Sequence, residues 1–191
     1  ITSFKSIEED RTRNAYPTGI GYVGAYLEQN GHDVVILDNN QKCYSKEKLV
    51  AFFEKTEPDI VGIGAMVNSY HQVLQLSKLV KDTLGVPIVL GGPMATYSAE
   101  TVLNNMDVDV CVLGEGEETS GELFGNWPNI SNVDGIAYID KSGNFTKTVP
   151  RVCKYSRDDY PYPGYETLLD ITKYWRSAVA SWETPFQHDK Y

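Results

Sequence analysis

The 191-residue chain carries 17 basic and 26 acidic side chains, a formal net charge of −9, and is 41% hydrophobic. That balance is rich enough in apolar residues for a buried core. With no Lys/Arg cluster it excludes non-specific nucleic-acid binding, which needs a basic face, and no apolar run approaches the ~20 residues of a membrane span. Cys43, Cys111 and Cys153 form no CxxC and no Cys/His pair, which argues against a disulfide framework or a structural zinc site. With no legible signal peptide, the cytoplasm is the default compartment.

Ile1–Phe4 reads as the tail of a first strand, and residues 5–15, polar and charged, as a long loop. Pro17-Thr18-Gly19 opens a helix predicted to run to about Asn30. Its apolar stripe is Tyr22, Val23, Tyr26 and Leu27, and Gly31 stands where a C-terminal cap belongs. A second strand follows at Asp33–Leu37, ending at Asp38. A second helix spans Lys46–Lys55, with Ser45 as N-cap and Leu49, Phe52 and Phe53 facing inward. The third strand is Ile60–Ala65. The third helix, Ser69–Leu84, carries Val73, Leu76, Leu79 and Val80 inward. The fourth strand starts at Ile88 and ends at Gly91, a short helix runs from Ser98 to Asn105, Val108–Leu113 is the fifth strand and Glu117–Phe124 a fifth helix.

Strands alternating with helices, each strand near-continuously apolar, predict a parallel sheet covered on both faces. The expected fold class is α/β: a doubly wound, five-stranded parallel sheet of flavodoxin- or Rossmann-like form. Past Asn126 the pattern changes. Val133–Ile139 and Asn144–Val149 alternate about Asp140-Lys-Ser-Gly143, which predicts a β-hairpin. Residues 157–164, with Pro161 and Pro163, read as an extended linker before an aromatic tail. The expected organisation is a domain over residues 1–126, a hairpin extension over 127–153, and a linker with a further segment over 154–191.

Three predicted strands end in small residues: Gly64-Ala65-Met66, Gly91-Gly92-Pro93-Met94 and Gly114-Glu115-Gly116. Ligands of open α/β sheets bind past the carboxyl ends of the strands, and a residue without Cβ lets a flat ligand approach backbone. Gly19, Gly21 and Gly24 fit GxGxxG literally but lie inside a helix after a long loop. Close helix packing explains them better than a dinucleotide fingerprint. No P-loop is present.

The element order and these three loops resemble the cobalamin (B12)-binding domain, in the form found at the N-terminus of B12-dependent radical SAM enzymes, methyltransferases and the anaerobic magnesium-protoporphyrin ester cyclase type among them. The family signature is DxHxxG, then SxL, then GG. Counting back from Gly31-His32-Asp33-Val34, DxHxxG falls on residues 14–19: Gly19 is kept, while Asn14 and Tyr16 replace the Asp and the cobalt-ligating His. SxL becomes Gly64-Ala65-Met66, and GG is kept as Gly91-Gly92. The radical SAM branch often lacks the His. The resemblance thus implies cobalamin held base-off without a His ligand, with Tyr16 as a lid. The cofactor-binding set it points to is Tyr16, Thr18, Gly19, Gly64, Ala65, Met66, Asn68, Ser69, Gly91, Gly92, Pro93, Met94, Gly114, Glu115 and Gly116.

The chemistry of the residues agrees with that set. The cofactor's nucleotide tail needs small side chains beside the sheet, as Gly62, Gly64 and Ala65 provide. Asn68, Ser69 and Thr96 are positioned to hydrogen-bond corrin amides, Ser69 having a helix N-cap as its other reading. His71 is either a polar residue on a helix turn or a ligand contact. Glu115 and Glu117 read either as an acid–base pair or as a cleft residue and a helix-N-terminal acid. Gly92, read as lying at the sheet's edge, is expected to accept a bulky residue without loss of fold.

Residues 158–174 look like the linker before a radical SAM barrel, and residues 181–191 are similar to that family's CxxxCxxC region. Thr184, His188 and Tyr191 stand where its cysteines belong, so no Fe–S cluster is expected on this chain, clusters requiring thiolates. No catalytic or metal-ligating residue is assigned. The first reading is a cobalamin-binding module, a piece of a longer enzyme or a stand-alone relative, that presents the corrin to a barrel in cis or in trans. The alternatives are a cofactor-free regulatory or interaction domain on the same fold, or a flavodoxin-like domain for FMN or a nucleotide, for which residues 3–6 make a poor phosphate loop.

Overall fold

The computed structural model describes residues 16–39, 44–152 and 159–163. The first helix, α1 (Thr18–Gln29), ends as its sequence predicts. Gly31 adopts φ +87°, its N–H donates to Glu28 O (2.9 Å), and the His32 N–H reaches back to Leu27 O (3.1 Å). This is the paired closure that a left-handed residue permits. The buried face differs from the predicted stripe. Gly21, Gly24, Ala25 and Leu27 are buried, whereas Tyr22, Val23 and Tyr26 are only partly covered. The reason is close approach: a Cβ at Gly24 would lie 2.7 Å from Ile36 Cδ1, and one at Gly21 would meet the Tyr16 ring. Gly21 and Gly24 of the GxGxxG match are therefore packing residues, as read from the sequence, whereas Gly19 is exposed.

Helix α2 (Lys46–Thr56) buries Leu49 and Phe53. Ser45 occupies the N-cap position but makes no cap bond to the helix amides; its hydroxyl meets the Glu47 carboxyl, which is held below its ordinary range by its own backbone N–H and then by Ser45. Strand β1 (Val61–Gly64) leads through a 3-10 turn (Val67–Ser69) into α3 (Tyr70–Leu84). Strand β2 (Ile88–Gly91) leads into α4 (Pro93–Asn105), whose Ser98 is non-helical at φ −133° and ψ 22°. The helical stretch predicted from Ser98 is thus preceded by a separate first turn, opened by Pro93 at the position where a missing N–H is tolerated. Strand β3 (Val110–Val112), α5 (Glu117–Asn126), β4 (Ile136–Ile139) and β5 (Phe145–Lys147) complete the elements.

The five strands lie in the order β1-β2-β3-β4-β5. The first three are parallel, and β4 and β5 are antiparallel. The fold class is α/β, as expected, but the sheet is mixed. The predicted hairpin is not an appendage: Val110, Cys111 and Val112 pair with Tyr138, Ala137 and Ile136. The physical cause is burial, since Ile136 and Ala137 are fully buried and apolar residues at an unpaired edge would invite association. The predicted strand at Asp33–Leu37 appears only as isolated bridge residues at Ile36 and Asp38. The expected first strand, Ile1–Phe4, lies outside the described residues.

Strand β2 shows why the apolar runs read as doubly covered. Ile88 and Leu90 pack with Val73, Leu76, Val80 and Val102 on one face. Val89 packs with Val110, Leu123 and Ile136 on the other. Cys111, fully buried, is part of this core; burial pushes its thiol up to about 12, so it behaves as a small hydrophobe. After the hairpin, Arg151 Nε donates to Thr119 Oγ1 (2.7 Å) and its guanidinium pairs with Glu122. Tyr160 donates to the buried Glu118 (2.8 Å) and sets its ring edge-on to Tyr26 at 5.8 Å. The returning chain is thereby fastened across α5 to α1. Among the described residues no helix is long and apolar enough to cross a membrane.

Candidate functional site

The carboxyl end of the parallel strands is built almost without side chains. Gly64 and Gly91 are register partners. Past them, the Ala65 N–H donates to Gly91 O (3.1 Å) and the Met94 N–H to Ala65 O (3.1 Å), so backbone alone joins the first two loops. Gly92 sits at φ +85°, and a Cβ there would lie 2.9 Å from Ala65 O. Only glycine satisfies both the dihedral and the contact. This corrects the expectation that Gly92 accepts a bulky residue: the position is wedged against the neighbouring backbone.

The third loop joins through a side chain. Thr96 Oγ1 donates to Gly92 O (3.2 Å) and accepts the Gly114 N–H (3.0 Å). The hydroxyl assigned to corrin amides therefore already has two protein partners. Gly114 takes φ +75°. A Cβ at Gly116 would press on Val23 Cγ2 at 3.2 Å, which lets α5 start close against α1. Glu115 is exposed, while Glu117 and Glu118 are buried in the first turn of α5, where acids meet the positive end of the helix.

These loops, α1 and the face of β1 enclose a cleft of about 1170 Å³, larger than the roughly 300–1,000 Å³ usual for drug-sized ligands. Thr18, Gly19, Gly64, Ala65, Met66, Gly91, Gly92, Pro93, Gly114, Glu115 and Gly116 line it, with Thr96 and Glu117. Five of the residues named from the sequence stand elsewhere. Tyr16 turns its ring onto Gly21 and packs with Ile20, Val34 and Ile36. Asn68 is exposed and Ser69 half-buried on the 3-10 turn, Ser69 making no cap bond. Met94 is 1% exposed, in the core. His71 is exposed on α3 and stacks edge-on to Tyr70. Sequence reasoning missed Tyr97, 81% exposed on the cleft rim; it sits just before the helix break at Ser98, where no periodicity assigns it a face.

The small-residue lining fits a broad, flat ligand. Nothing among the described residues lies within 4 Å of where a Cβ would stand at Gly19, Gly62 or Gly91, so the floor can be covered by a flat group. Among the described residues no Lys or Arg lines the cleft, an arrangement ill-suited to a phosphate-rich nucleotide, which charge-assisted donors would hold.

Comparison with known proteins meets the same fold and family. Over 168 residues the chain is 29% identical to an uncharacterized methyltransferase of Pyrococcus horikoshii, an alignment covering 85% of this chain and 36% of that protein. It is 29% identical over 165 residues to the anaerobic magnesium-protoporphyrin IX monomethyl ester cyclase of Synechocystis, covering 83% and 32%. The chain thus spans about a third of the length of these curated relatives. Its fold superposes on the cobalamin-dependent S-adenosylmethionine radical enzyme OxsB, solved with aqua-cobalamin and S-adenosylmethionine bound, with a TM-score of 0.69 at 18% identity, covering 91% of this chain and 25% of that one. The profile of the B12 binding domain matches residues 10–124, more than half of the sequence, and the chain belongs to that family.

Proposed function

We propose that this chain is a cobalamin-binding module that presents its cofactor to a radical SAM-type catalytic barrel, in the same polypeptide or a separate one. The observation that carries the reading is the glycine floor at Gly91, where no atom of the described residues lies within 4 Å of an added Cβ, at the carboxyl end of a parallel strand. Gly64–Met66, Gly91–Pro93 and Gly114–Gly116 are the residues that hold the cofactor. When bound, cobalamin supplies a cobalt centre suited to methyl transfer or radical chemistry. The protein's part is to bind, orient and shield it, so no catalytic residue is assigned to the chain.

The same reading has the cofactor base-off, with no protein nitrogen on the metal. The only cleft-lining histidine among the described residues is His32, which follows the C-terminal end of α1 and sets its ring edge-on to Phe124. A neutral phenol, with a pKa of about 10, makes Tyr16 a poor ligand, and its ring against Gly21 supports a packing role beside the site. Thr184, His188 and Tyr191, outside the described residues, offer no thiolate for a cluster.

Incubation of the full chain with hydroxocobalamin, followed by gel filtration and a visible spectrum, tests the reading. Retention near one equivalent is expected, and electron paramagnetic resonance of the reduced complex should lack nitrogen superhyperfine splitting. A protein that emerges colourless favours the cofactor-free domain, and one that purifies yellow favours the flavin reading. Splitting that disappears in His71→Ala would overturn the base-off assignment alone.

A further inference from the structure

The three glycine loops are not joined in the same way. Strands β1 and β2 stay paired to their ends, Gly64 opposite Gly91, and backbone hydrogen bonds continue through Ala65 and Met94. Strands β2 and β3 part earlier. Their register stops at Leu90 opposite Cys111, whereas on its other side β3 stays paired with β4 to Val112 opposite Ile136, and the Leu113 N–H donates to Gly135 O (2.8 Å). Past Leu90 and Cys111 β2 and β3 have no further register pair, and the Gly91-Gly92 and Gly114–Gly116 loops that follow both line the cleft.

A single side chain joins those two loops among the hydrogen bonds of the described residues. Thr96 Oγ1 donates to Gly92 O and accepts the Gly114 N–H, using both capacities of a hydroxyl at once. Its own N–H also donates to Gly92 O (3.1 Å). Thr96 is held in a short helical turn between Pro93 and the break at Ser98, which Met94 and Ala95 anchor in the core. We infer that Thr96 is a positioning residue: its hydroxyl fixes the separation and orientation of the two loops before a ligand arrives. Gly114 and Gly92 both have positive φ, and glycine without a tether samples many alternatives. The bridge removes that freedom in advance, and preorganisation of this kind appears as affinity.

The inference rests on the cobalamin reading for its ligand but not for its mechanism. Thr96→Val keeps the shape and loses both hydrogen bonds; Thr96→Ser keeps both. In the ligand-free full chain, Gly114 amide exchange should accelerate in T96V and match wild type in T96S. Hydroxocobalamin affinity should fall about tenfold in T96V through lost preorganisation and be restored in T96S, with circular dichroism showing all three proteins folded. Unchanged Gly114 exchange in T96V overturns the inference. So does loss of affinity in T96S with normal exchange, because the methyl would then be touching ligand. If wild type retains no hydroxocobalamin, the functional reading fails, and the exchange arm still decides the role of Thr96.

Discussion

The two ends of the sheet are held by opposite means. At the amino end, Asp109 Oδ2 accepts both Lys81 Nζ (2.8 Å) and the Ile88 N–H (2.7 Å), and Lys81 also donates to Val86 O (3.0 Å). Charged side chains there clamp the entry of β2 to the entry of β3 and the end of α3. At the carboxyl end the hydrogen bonds that join the three loops among the described residues run backbone to backbone and through the Thr96 hydroxyl. Stability and ligand access are thus separated along the strands. One end spends side chains on closure, and the other leaves them out so that a large ligand can meet the backbone.

Three substitutions break or sharpen that contrast. The largest effect is expected from Gly91→Leu. Its backbone is compatible with a side chain and its Cβ would enter open space, so the fold should persist while the leucine fills the cleft floor. Hydroxocobalamin affinity should drop roughly 100-fold or more, about 2.7 kcal/mol, measured by equilibrium titration beside an unchanged circular-dichroism melt. An unaltered affinity would show that Gly91 does not face the ligand.

Gly92→Leu should behave differently, although it is the next residue. Positive φ and the contact with Ala65 O put the strain in the protein itself, of order 1–3 kcal/mol. The melting temperature should fall, and binding should weaken with it. Equal melts for G91L and G92L would mean that the loop relaxes and that the wedge against Ala65 carries no energy.

The smallest change is expected from Asp109→Ala at the opposite end. The Lys81–Asp109 pair is about one-third exposed, so screening reduces its worth. The Ile88 N–H and Lys81 lose their acceptor, and chemical denaturation should register about 1–2 kcal/mol. Cobalamin affinity should not move. A coupled loss would show that the two ends are not independent.

The correspondence between sequence and structure follows how local each feature is. Gly31 closes α1 as predicted because capping needs only the residues of one helix turn. The doubly covered run at Ile88–Leu90 was legible from its apolar composition, while the helix expected to start at Ser98 proved to be preceded by a helical turn from Pro93. The stripe on α1 was misread because Gly21 and Gly24 bury by letting Tyr16 and Ile36 approach, and hydrophobic periodicity gives glycine no weight. Met94 reads as a loop residue beside Gly92, yet the helical turn opened by Pro93 carries it into the core.

What the sequence determined by itself is therefore the α/β class, the apolar strands, and the small-residue ends that resemble a cobalamin site. Each follows from composition, spacing and short-range backbone chemistry. Only the tertiary structure decided that the hairpin extends the sheet. Only it decided that Gly92 is wedged on Ala65 and that Thr96 reaches Gly114, 18 positions away. Those outcomes depend on which strand edges meet and how far apart their ends lie, and that geometry is fixed by the packing of the whole core rather than by any neighbouring residues along the chain.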